Sequence, residues 1–215
     1  MISGPRTHGR RAAAWILALA LVSFAAPGAG AKTPKAEKAP KPEKKFTFAD
    51  IGWYASKSVV LERLEEKGYR AIPGTRDMVV AQGRMFDHIA VARGMLDDSA
   101  RVVRWEVTVL ADSKGDRFQE MKPIYQQIVT ECEGRYGSAW DVAEKYKFPY
   151  DKGDHREMDA LKDGKAMIHA IWRGTKPEDR LTVEMDPDTN VRLTYTCPGW
   201  NAFQDRVRHR KARDL

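Results

Sequence analysis

The stretch RVVRWEVTVLA, residues 101–111, decides the fold class. Val103, Trp105, Val107 and Val109 alternate with Arg104, Glu106 and Thr108. A period of two buries one face of a strand and wets the other, which is the pattern of an antiparallel sheet covered on one side. Upstream, TRDMVVAQGR (75–84) and DHIAVARGML (87–96) read as strands; downstream, KAMIHAIWR (165–173), RLTVEM (180–185) and VRLTYTC (191–197) do the same. Turns containing Gly, Pro, Asp or Asn separate them.

Two helices interrupt these strands. FTFADIGWY (46–54) leads into the first, where Ser56 or Ser58 is placed to cap, Val60, Leu61 and Leu64 form a stripe, and Gly68 supplies the stop. The second carries Phe118, Met121, Tyr125, Ile128, Val129, Cys132 and Tyr136 at intervals of three and four. Pro123 inside it costs roughly 3 kcal/mol, so the stable helix is expected to begin there or kink there. The charged stretch KFPYDKGDHREMDALKDG (147–164) reads as a long loop. The sum is an α+β fold in the order α-βββ-α-βββ: one antiparallel sheet of six to seven strands with two helices packed on one face.

The two helix ends echo one another. LERLEEKGYR (61–70) and IVTECEGRYG (128–137) each close on glycine beside tyrosine. The shared task of stopping a helix and feeding a sheet accounts for this, so the first helix reads as scaffold. Any site is expected on the opposite sheet face and in the loop after Lys147.

The ends of the chain speak about location. Arg6, Arg10 and Arg11, then AAAWILALALVSFAA (12–26), then Ala29-Gly30-Ala31 match a secretory signal cleaved after Ala31, with an apolar run too short to span a bilayer. Residues 32–45, with six Lys, two Glu and three Pro, read as a semi-rigid linker, and 205–215 as a basic tail around a globular part at 46–204. The net charge of +7 belongs to these ends, because 46–204 holds 23 basic and 26 acidic residues. A nucleic-acid partner is therefore not expected. The reading is a periplasmic or secreted protein with no transmembrane span after cleavage, whose linker is suited to peripheral contact with an anionic surface.

Export also colours the cysteines. Cys132 sits on the stripe of the second helix and Cys197 in register with Val191, Leu193 and Tyr195, so both point inward and a Cys132 to Cys197 disulfide is expected. No metal is expected: DPDTN (186–190) lacks the glycine and glutamate of a calcium loop, and His88, His155, His169 and His209 have no partners at zinc spacing. His88 and His169 fall opposite the apolar residues of their strands and read as solvent-side. No nucleophile elbow, metalloprotease helix or phosphate loop is present, so no catalytic residue and no cofactor is nominated. The aromatics at element edges, Trp53, Tyr54, Trp200 and Phe203, either close the core or anchor a partner. Phe148, Tyr150, His88 and His169 complete the set of candidate binding residues.

IGWYASKSVVLERLEEKGY (51–69), the helix ending in RYG, Trp172 on a late strand, TVEM and a closing strand with Tyr195 together resemble small secreted bacterial α/β modules. That class includes β-lactamase-inhibitor-like and SmpA/OmlA-type domains. The reading is a non-enzymatic module that recognises a protein or a cell-envelope component through the exposed sheet face, the edge aromatics or the long loop. The lipoprotein cysteine of the SmpA/OmlA group is missing. The alternatives are an enzyme whose site is assembled in space and a structural envelope protein tethered by its linker and tail.

Overall fold

A computed structural model describes residues 46–112 and 115–213. The signal and linker expected at 1–45 lie outside the described residues. The fold is α+β with a single antiparallel sheet. Among the described residues there are eight strands and four helices rather than the expected six to seven and two.

Helix α1 (Lys57–Glu66) is followed by β1 (Arg70–Ile72), β2 (Met78–Met85), β3 (His88–Leu96) and β4 (Val102–Val109). Helix α2 (Arg117–Tyr136) is followed by β5 (Asp141–Tyr146), the short α3 (Glu157–Lys162), β6 (Ala166–Arg173), β7 (Arg180–Met185) and β8 (Val191–Thr196). The sheet order is β1-β2-β3-β4-β8-β7-β6-β5. Each half is thus a helix feeding a four-stranded meander, and the halves meet where β4 pairs with β8, Trp105 opposite Tyr195. The added strands are β1, too short to show a period, and β5, whose DVAEKY carries only two aliphatic residues.

The turns repeat as well. In the β3–β4 turn, Asp97 Oδ1 accepts the backbone N–H groups of Ser99 and Arg101, both at 2.9 Å. In the β7–β8 turn, Asp186 Oδ1 accepts those of Asp188 and Asn190, again at 2.9 Å. Ala100 and Thr189 take left-handed φ angles of 54° and 64° at equivalent places. Short side chains that bond their own turn backbone make such hairpins in place of glycine.

Helix ends follow the local chemistry. Gly68, at φ 80°, turns the chain so that Tyr69 N–H reaches Leu64 O at 2.8 Å and Gly68 N–H reaches Glu65 O at 2.9 Å. Ser56 stands at the N-cap of α1, but its hydroxyl faces that of Ser58 and caps nothing. Helix α2 begins at Arg117, a turn and a half ahead of Pro123, because Asp116 caps it by accepting from Phe118 and Gln119 N–H at 3.1 and 3.2 Å.

Helices α1 and α2 cover one face of the sheet with the N-terminal segment, whose Phe46, Phe48 and Ile51 are buried in the main core. Tight contacts there need strand glycines: a Cβ on Gly94 would stand 2.8 Å from the Trp105 ring, and one on Gly83 would stand 2.6 Å from the Tyr69 ring. Aromatic rings lying over strand glycines restore the apolar contact that glycine cannot supply.

The other face is not bare. Residues 205–213, read as part of a basic tail, belong to helix α4 (Trp200–Arg213), which packs across the outer side of β3, β4 and β8. A register shift at Met95/Leu96 leaves Val102 in the main core and puts Val103 with Cys197, Trp200 and Phe203 in a second, smaller cluster. An unbroken alternation through Val103 had no means of showing this bulge.

The expected disulfide is absent. Both thiols are buried and free, Cys132 in the main core and Cys197 in the cluster under α4. Strand β8 ends at Thr196, so Cys197 leaves the register of Tyr195 and instead heads the turn into α4, accepting Trp200 N–H at 3.1 Å through its carbonyl. The Tyr54 hydroxyl donates to its sulfur at 3.6 Å. Alkylation of unfolded, unreduced protein should therefore add two adducts by mass spectrometry; thiols that resist until reduced would contradict the arrangement.

Candidate binding cleft

The expected site residues do not converge. Trp200 and Phe203 are buried, ring against ring at 5.5 Å, and close the core under α4. Trp53 packs between the two clusters, and Tyr54 stands at their edge with Arg101 over its ring at 5.6 Å. Burial pushes the Tyr54 hydroxyl up to about 12. Tyr150 is buried and donates to Asp163 at 2.5 Å, whereas Phe148, two residues earlier, is 92% exposed. His169 lies on the outer face, but its side chain is largely covered, its Nε2 3.0 Å from Asp141. His88 does not: it shares the parity of Ala90 and Ala92, which are core residues, and so lies on the helix-covered side. Its strand is rich in alanine inside and in Ile89 and Val91 outside, which inverts the usual reading of polarity.

The structure instead opens a cleft that the sequence did not nominate. Its volume is about 360 Å³, within the range of small-molecule sites. The N-terminal segment gives Phe48, the end of α1 gives Tyr69, the β2–β3 hairpin gives Met85, α2 gives Cys132 and Tyr136, and β8 gives Tyr195. Tyr69 and Tyr136 are the tyrosines of the two echoing helix ends. The echo was the available signal: each helix ends on a glycine next to a tyrosine, and both tyrosines line the cleft.

The thiol and the tyrosine hydroxyls of the cleft are held neutral. Burial pushes the Cys132 thiol up to about 12, and the Tyr195 hydroxyl well above its usual value. Burial raises Tyr69 and Tyr136 likewise. Burial thus favours the protonated form of all four, which leaves the hydroxyls as hydrogen-bonding groups. The Tyr136 hydroxyl already donates to Thr47 O at 3.4 Å.

Charge gathers at the mouth. Asp50 accepts from Lys67 at 3.0 Å and from Arg135 at 2.8 Å. Those two partners, Lys67 first, hold its carboxyl below the usual carboxylate range. Glu131 also lines the opening.

No protein-family model matches the chain, and no curated protein and no solved structure matches it. No helix among the described residues is long and apolar enough to cross a membrane.

Proposed function

We propose that this is an exported, non-enzymatic binding module whose cleft takes a small apolar component of the cell envelope, an acyl chain or aromatic ring ending in an anion. One observation carries this reading: an aromatic-walled cavity whose hydroxyls and thiol are all neutral, with Lys67 and Arg135 at its mouth. Apolar walls supply most of the affinity of such a site, and a few polar groups fix orientation. An anionic end would compete with Asp50 for the two cations. The signal-like first 31 residues support export, and the neutral thiol and hydroxyls support binding over catalysis.

Dodecanoate is a suitable probe. It should displace the fluorescent dye 1-anilinonaphthalene-8-sulfonate from wild-type protein at one equivalent per chain. Met85→Trp, which fills the cleft from a half-buried position, should abolish dye and dodecanoate binding without loss of the unfolding transition. Equal dye binding by wild type and variant would overturn the reading.

A second reading, recognition of a protein, rests on Phe148, whose nearly complete exposure is unusual for a phenylalanine. It predicts that a partner captured by the wild type is lost with Phe148→Ser and kept with Met85→Trp.

A further inference from the structure

We propose that His88, Asp112 and Glu120 form a site for a divalent transition-metal cation, of which Zn²⁺ is the best match. The three come from different elements: the first residue of β3, the stretch leaving β4 and the first turn of α2. No sequence spacing connects them, and they lie outside the cleft described above.

The geometry is that of a ligand set. His88 Nδ1 is 3.5 Å from Asp112 Oδ2 and 3.5 Å from Glu120 Oε1, and all three atoms lie within 4.8 Å of one another. Tetrahedral Zn²⁺ with bonds of about 2.0–2.1 Å separates its ligands by roughly 3.3 Å, so these atoms need only small adjustments to surround an ion. Glu120 Oε1 also accepts the Asp112 backbone N–H at 2.7 Å, which ties the Asp112 backbone to the Glu120 carboxylate.

The imidazole supplies an independent pointer. His88 Nδ1 is fully shielded from solvent and has no hydrogen-bond partner, yet it faces two carboxylate oxygens. A buried polar atom without a partner calls for an explanation, and an ion is one of those that fit. Asp112, half exposed, leaves a route for the ion to enter, while Glu120 is largely covered. A nitrogen with two carboxylate oxygens suits Zn²⁺ and its transition-metal neighbours better than Mg²⁺ or Ca²⁺, which prefer all-oxygen sets.

Calorimetric titration of Zn²⁺ into the chain lacking residues 1–31 tests this. One equivalent is expected to bind, and His88→Gln and Asp112→Asn should each weaken binding by about 100-fold or more. In spectra of the imidazole nitrogens, Zn²⁺ should shift His88 Nδ1 and leave His155 and His209 in place. Asp112→Asn decides the matter if His88→Gln fails to fold, since the Asp112 side chain is half exposed. Unchanged binding in Asp112→Asn, shifts confined to His155 or His209, or no saturable binding would overturn the proposal.

Discussion

Trp105→Ala is expected to lower the unfolding free energy by about 3–5 kcal/mol, read from chemical denaturation. Trp105 has no exposed surface and lies where the two halves of the sheet join, paired with Tyr195 and 5.2 Å from the Phe48 ring. Its indole N–H has no partner. Trp105→Phe should therefore cost less, because only volume is lost. Gly94 supplies the sharper test, since it sits directly opposite and under the ring. Gly94→Ala alone should cost about 1–3 kcal/mol by overpacking. In the Trp105→Ala background the added methyl enters vacated space, and the cost should vanish. Additive effects would show that the ring does not depend on that glycine.

The second large effect is expected at the β7–β8 turn. Asp186 is buried, and its carboxylate accepts two backbone N–H groups and the Arg192 guanidinium at 3.0 Å. Asp186→Ala orphans the two N–H groups and leaves Arg192 only Glu184, at 3.8 Å, for a loss of about 2–4 kcal/mol. Asp97→Ala, the equivalent change in the first half, should cost less, because its partner Arg101 is half exposed. Burial pushes the Asp97 carboxyl up, but the hydrogen bonds from the Arg101 and Ser99 N–H groups and the Arg101 side chain outweigh it and hold the carboxyl below its usual range. A folded value below the unfolded one means stabilisation that is complete above about pH 4 and disappears as pH falls through the folded value. The destabilisation caused by Asp97→Ala should accordingly shrink in acid. A cost independent of pH down to the acid transition would contradict the role given to that carboxylate.

The alternation around Trp105 made the antiparallel sheet legible, and the stripe from Phe118 to Tyr136 made α2 legible, because burial on one face writes a period into the sequence. β1 and β5 were not legible: a strand of three residues shows no period, and DVAEKY at the sheet edge buries only Ala143. Helix α4 was hidden by its composition. Arg206, Arg208 and Arg210 dominate it, while Trp200, Phe203 and Val207 on its other side do the packing. Cys197 was assigned by extending the strand period one residue too far, and His88 by taking isoleucine and valine as the inner face. The cleft was within reach through the echoing Gly-Tyr helix ends, yet the sequence alone could not show that Tyr69 and Tyr136 line one cleft. Nor could it show His88 meeting Asp112 and Glu120, a meeting made only by folding.

The most direct measurement of cleft binding is a titration of isotope-labelled protein with dodecanoate, followed by backbone amide shifts. The expected result is a saturable set of changes centred on Thr47, Lys67, Tyr69, Met85, Cys132 and Arg135, with the rest of the sheet unmoved. No saturable change, or changes centred on Phe148 or on α4, would contradict it.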